Sequence, residues 1–162
     1  MDPKLRAQLA AIYREVMWLA KRRGVSASAA RAWYTHIRKG NVRLTQFSGK
    51  VSRAALAPSA ALRLEHYKRM QTVLTRLVER HKKLKRPRPD EFIRVLLACE
   101  RVHIVTFREN YDALVARGNY GKAGIELLPW RTLTLKQRER LWRKVLRGKV
   151  ANAEAYRPAP HT

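Results

Sequence analysis

Asp90 to Gly118, DEFIRVLLACERVHIVTFRENYDALVARG, is the stretch whose reading decides the fold. Asp90 suits a helix N-cap, Gly118 suits a helix end, and Phe92, Leu96, Cys99, His103 and Phe107 recur at three- and four-residue spacings along one helical face. The same stretch holds Val102 to Phe107, whose β-branched richness fits a strand. Length favours a helix from Glu91 to Arg117, and an all-α chain follows from it.

Toward the N-terminus lies a basic run, His81-Lys82-Lys83-Leu84-Lys85-Arg86-Pro87-Arg88-Pro89, whose prolines stop whatever helix precedes them. That helix is expected over Ser59 to Leu84, with Leu62, Tyr67, Met70, Leu74, Leu77, His81 and Leu84 along one side. Asn41 to Pro58, with Gly49 and several Ser residues, reads as a packed connection. Val25 to Lys39 is a second helix, capped by Ser26 or Ser28, with Ala29, Trp33 and Ile37 as its stripe. Leu5 to Arg23 is the first. Its apolar stripe is Leu5, Leu9, Ile12, Val16 and Leu19, Asp2 caps it, Pro3 takes the first helical position and Gly24 ends it.

Toward the C-terminus, Asn119 to Pro129 is a glycine-rich loop that lacks the spacing and the Ser or Thr of a P-loop. A last helix runs from Leu135 to Arg147, opened by a Thr134/Gln137 capping box and closed by Gly148. The tail from Ala151 reads as extended. The four Trp residues are expected chiefly in the core, with Trp130 the best exception.

The charge balance constrains the partner. Thirty-six Lys and Arg face 12 Asp and Glu, a net +24, and the pI is about 11.4. Between Glu15 and Glu65 there is no carboxylate. Such an excess calls for an anionic surrounding, with polyphosphate first and an acidic protein or anionic membrane second. The single cysteine, Cys99, fits a reducing compartment and a packing role, and no apolar run reaches the ~18 residues of a membrane span. Carboxylates are scattered and the five His show no metal-ligand spacing, so neither a catalytic site nor a metal site is expected. Glu100 and His103 would share a helical face, an arrangement common by chance.

Leu9-Ala10-Ala11-Ile12-Tyr13-Arg14-Glu15-Val16, followed by Lys21-Arg22-Arg23, resembles the opening helix of the LYR-motif family of small mitochondrial proteins, with Ile in place of Leu. Trp33-Tyr34-Thr35-His36-Ile37-Arg38-Lys39 is similar to that family's second helix, and the helix expected over Ser59 to Leu84 would complete its three-helix bundle. The family usually has a Phe soon after the Ile-Arg pair; here Gly40-Asn41-Val42 follows. The resemblance implies a matrix protein that binds the mitochondrial acyl carrier protein. The carrier would supply an acyl-phosphopantetheine arm, and the chain would have no cofactor of its own. Ile12 and Tyr13 would shape the interior, while Arg14, Lys21, Arg38 and Lys39 would meet the acidic carrier.

The expected organisation is therefore an LYR-like three-helix bundle over 1–86, a basic helical extension over 87–150 and an extended tail over 151–162. Lys82, Lys83, Lys85, Arg86 and Arg88, with Lys136, Arg140, Arg143, Lys144 and Arg147, are expected to hold ribosomal RNA. The expected function is a non-enzymatic mitoribosome component or assembly factor, in contact with neighbouring ribosomal or assembly proteins. The alternatives are a respiratory-complex subunit or assembly factor, or a general helical nucleic-acid-binding protein with no carrier partner.

Overall fold

The computed structural model describes residues 1–37 and 44–159. It overturns the all-α expectation, because one of its two units holds a four-stranded mixed sheet. The chain forms two compact units interleaved in sequence. One comprises residues 1–42 and 68–99, the other 43–67 and 100–162. Residues 1–86, expected as one bundle, therefore contribute to both.

The first unit is built from four helices: α1 (Pro3–Ala20), α2 (Ala27–Ile37), α3 (Met70–Lys82) and α4 (Pro89–Cys99). Asp2 accepts from the Lys4 N–H, Pro3 opens α1, Gly24 takes φ +80°, and Ser26 Oγ accepts from the Ala29 N–H at the start of α2. α1 packs against each of the other three helices, so its buried face is Leu9, Tyr13, Val16, Met17 and Ala20. Tyr13 is at the centre of the buried face. Its ring contacts Phe92 of α4 and His81 of α3.

The second unit holds β1 (Gln46–Ser52), β2 (Leu62–His66), β3 (Arg101–Thr106) and β4 (Leu127–Pro129) in the order β2-β3-β1-β4. β1 and β3 are parallel; β2 and β4 are antiparallel edge strands. β3 is central, with Val102 and Ile104 toward one face, His103 and Val105 toward the other, and all four buried. That two-sided burial explains why its apolar run imitated a helix. The helix expected over Glu91 to Arg117 is three elements, α4, β3 and then α5 (Phe107–Val115). Thr106 and Glu109 form a full capping box that starts α5 afresh. The helix expected over Ser59 to Leu84 likewise divides into β2 and α3, and the connection expected over Asn41 to Pro58 contains β1.

One sheet face carries Phe47, Val51, Val102 and Ile104 against Trp130, Leu141, Trp142, Val145 and Leu146. The last three belong to a π-helical turn, Trp142–Leu146, that continues α6 (Leu135–Leu141). The tail, expected as extended, makes a short 3-10 turn over Ala153–Tyr156. Asn152 fixes it to β1: its Oδ1 accepts from the Phe47 N–H at 2.8 Å and its Nδ2 donates to the Phe47 carbonyl at 2.9 Å. Tyr156 then stacks edge-on against Phe47.

Candidate nucleic-acid interface

Cations outnumber carboxylates in both units. The helical unit has 19 Lys and Arg against five Asp and Glu, and the sheet unit has 17 against seven. Many of the carboxylates are engaged internally. Asp90 pairs with Arg6, Glu126 with Arg53, and Glu91 with both Arg80 and His81. Bonds first from His81 and then from Arg80 hold the Glu91 carboxyl below its ordinary pKa. Glu65 accepts from the Tyr120 hydroxyl, and Glu109 from Ser52 at 2.5 Å.

α6 and its π-helical continuation concentrate exposed positive charge. Thr134 and Gln137 form the expected capping box, Leu141, Trp142, Val145 and Leu146 bury the inner face, and Lys136, Arg143, Lys144 and Arg147 stand exposed. The outer side meets two clefts. One, of about 740 Å³, is bounded by Leu56, Pro58, Lys136, Glu139, Arg140 and Arg143. The other, of about 480 Å³, lies between β2 and the pair Lys144 and Lys149. Arg147 and Arg157 both lie over the Trp142 ring, whose Nε1 donates to the Ala153 carbonyl.

Arg140 differs from its neighbours. Its guanidinium donates to the carbonyls of Ala55, Leu56 and Ala57 at 2.7 to 3.0 Å, so it closes a 3-10 turn rather than facing outward.

In the helical unit, Lys82 ends α3 and is half-buried, while Lys83, Lys85, Arg86 and Arg88 are exposed on the way to α4. The Arg88 backbone N–H donates to the Tyr13 hydroxyl at 3.0 Å, and its guanidinium is 4.0 Å from Glu91. Tyr13, Arg14 and Lys21 line one cleft of about 230 Å³ with Met17, Trp18, His81, Leu84 and Pro87. Ile12 is half-buried; Arg38 and Lys39 lie outside the described residues. Trp130 and Trp142 are buried while Trp18 and Trp33 are exposed, so Trp130 is a core residue and Trp18 and Trp33 depart from expectation.

The second sheet face holds a polar cluster that periodicity did not reveal. Ser48 Oγ is 2.5 Å from Nδ1 of His103, Tyr67 stacks on the imidazole with centroids 5.1 Å apart, and Tyr120 closes the other side at 5.5 Å. Burial, with the Lys50 charge as a lesser cause, pulls the His103 pKa down to about 4, so the ring is neutral at pH 7. Burial and then Glu65 hold the Tyr120 phenol far above its usual range. Glu100, in the turn before β3, accepts from the Thr45 hydroxyl at 3.0 Å, so the helical face expected to pair it with His103 does not form. A Ser–His contact is the start of a nucleophile–base pair. Here the two flanking tyrosines make it a packed layer between strands.

Among the described residues no group of three or more His, Cys, Asp or Glu is arranged to hold a metal, and no helix is long and apolar enough to cross a membrane. Comparison with family models, curated proteins and solved structures finds no match to this chain.

Proposed function

We propose that the protein binds nucleic acid through the phosphate backbone, as a binding component with no reaction of its own. Ribosomal RNA is the proposed polymer, because basic segments can thread between its phosphates without a base code. The observation that carries this reading is the outer side of α6 and its continuation. There Lys136 and Arg143 line one cleft, Lys144 lines the other, Arg147 is exposed beyond them, and Glu139 is the one carboxylate on that segment. With four exposed cations to one carboxylate the segment stays positive, and cations in such excess release phosphate counterions on binding and need no base code.

The test is fluorescence anisotropy with a labelled RNA hairpin across a salt series. About four phosphate contacts give a slope of log K on log salt near −3 to −4. Lys136→Glu with Arg143→Glu weakens binding and flattens that slope. Binding that ignores both salt and these substitutions sinks the proposal.

A second reading keeps the acyl carrier protein as partner, with residence in the mitochondrial matrix. Its support is the α1 cleft, which brings Tyr13, Arg14 and Lys21 together. The three-helix bundle on which it was founded is replaced by four helices and a sheet. Arg14→Glu with Lys21→Glu should abolish copurification of a carrier; a carrier retained, or absent from the wild type, removes this reading.

A further inference from the structure

Four of the seven large apolar side chains that stand exposed among the described residues belong to one nine-residue helix, α5: Phe107 at 54%, Tyr111 at 65%, Leu114 at 58% and Val115 at 66%. Their spacing of four, three and one puts them on one face. The face is held rigidly. The Phe107 N–H donates to the Ala61 carbonyl at 2.9 Å, the Thr106/Glu109 box fixes the first turn, and Ala113 is buried.

A cation from the neighbouring strand lies against this face: the Arg63 guanidinium carbon is 5.4 Å over the Phe107 ring, while Arg108 on α5 itself is paired with Asp112 at 4.0 Å. Arg63 also belongs to the wall of the 480 Å³ cleft, whose opposite side is Lys144, Val145 and Lys149. The cleft has the size of a small-ligand site. An exposed ring pair thus continues through one arginine into a cleft with two lysines.

We infer that this surface binds a single strand of nucleic acid, its bases stacked on Phe107 and Tyr111 and a neighbouring phosphate seated between β2 and the two lysines. Rings beside a cationic groove are the arrangement that holds unpaired bases without reading their sequence. A duplex keeps its bases stacked inside and leaves such rings idle. The charge also disfavours a second copy of this strongly basic chain as the occupant.

The inference rests on the nucleic-acid reading above, and the experiment separates the two. Anisotropy is measured for a labelled 12-nucleotide single strand and for the matching 12-base-pair duplex, with wild type, with Phe107→Ala plus Tyr111→Ala, and with Tyr111→Phe. The double variant should lose about tenfold or more in single-strand affinity. It should keep duplex affinity within about twofold, and Tyr111→Phe should behave as wild type. Both rings are more than half exposed, so their truncation leaves the core intact, and an unchanged circular dichroism spectrum checks this.

Equal loss for both polymers, or no loss for either, overturns the single-strand inference and leaves the phosphate reading standing. Wild type that binds neither polymer overturns both. Concentration-dependent dimerisation that the double variant abolishes, with single-strand affinity unchanged, would make the face an interface between copies and likewise overturn the inference.

Discussion

The Tyr13 hydroxyl lies 3.1 Å from Nδ1 of His81, 68 residues away, and joins α1 to α3 inside the helical unit. Glu91, a carboxylate, can only accept, so Nε2 donates to it at 3.1 Å; in the neutral ring Nδ1 then accepts from the Tyr13 hydroxyl, whose oxygen also accepts the Arg88 N–H. Tyr13→Phe preserves the packing against Phe92 but leaves the buried His81 nitrogen and the Arg88 N–H without this partner. A cost of about 1–3 kcal/mol is expected, read as a lower midpoint in urea at unchanged slope. Tyr13→Ala adds the loss of the ring, for about 3–5 kcal/mol. Loss of any partner on Tyr13→Ala therefore reports unfolding as readily as recognition, and Arg14 and Lys21, which are exposed, are the informative positions.

Arg140 and Arg143, three residues apart on one segment, should separate folding from binding. Arg140 donates to the carbonyls of Ala55, Leu56 and Ala57 at the end of a turn, of which Ala57 also accepts from the Ala60 N–H. Arg140→Ala should cost about 1.5–3 kcal/mol in a thermal or urea melt, through loss of charge-assisted bonds. Arg143→Ala should leave the melt within about 0.5 kcal/mol, as exposed substitutions do, and weaken RNA binding. A reversed pattern would place Arg140 at the interface.

The clamp from Asn152 to β1 predicts that the tail is part of the fold. Asn152→Ala removes both bonds to the Phe47 backbone, at the end of β1 that β4 does not pair with, and about 1–3 kcal/mol of stability should go with them. Limited proteolysis should then cut after Arg147 or Lys149 earlier than in wild type. Equal cleavage rates would show that Phe47, Trp130 and Tyr156 hold the tail by packing alone.

The elements with marked ends were legible. Asp2, Pro3 and Gly24 delimit α1, Thr134 and Gln137 open α6, and each does what its residue type requires. The sheet was not legible, because helical spacing occurs by accident in a strand covered on both faces. Val102, His103, Ile104 and Val105 are all buried, so the period of two that exposes a strand is absent. The Thr106-Phe107-Arg108-Glu109 box was the available signal that a new helix begins there. In β2, Leu62-Arg63-Leu64-Glu65 does alternate, but Leu62 also continued the helical spacing of the Leu and Met residues downstream. The cationic side of α6 was legible as charge. That Arg140 turns inward depends on a 3-10 turn more than eighty residues away in sequence, which no local pattern encodes.

His103 gives the fold a dependence on pH with a definite sign. Its pKa in the folded protein is about 4, depressed by burial and by Lys50, against about 6.5 when the chain is unfolded. The unfolded chain therefore takes up a proton at a pH where the folded one stays neutral. The resulting stabilisation is complete above pH 6.5 and declines as pH falls toward 4, by about 3 kcal/mol across the window. Urea midpoints measured between pH 7.5 and 4.5 should fall steadily for wild type. With His103→Gln, whose amide has no proton to gain, that part of the slope should vanish. Glu91, depressed by the bonds from His81 and then Arg80, and Glu126, depressed by the bond from Arg53, begin to lose their contribution only as pH falls through the ordinary carboxylate value of 4.5. A variant that keeps the wild-type slope would mean that another group titrates in this window and that the Tyr67–His103–Tyr120 layer opens to admit the proton.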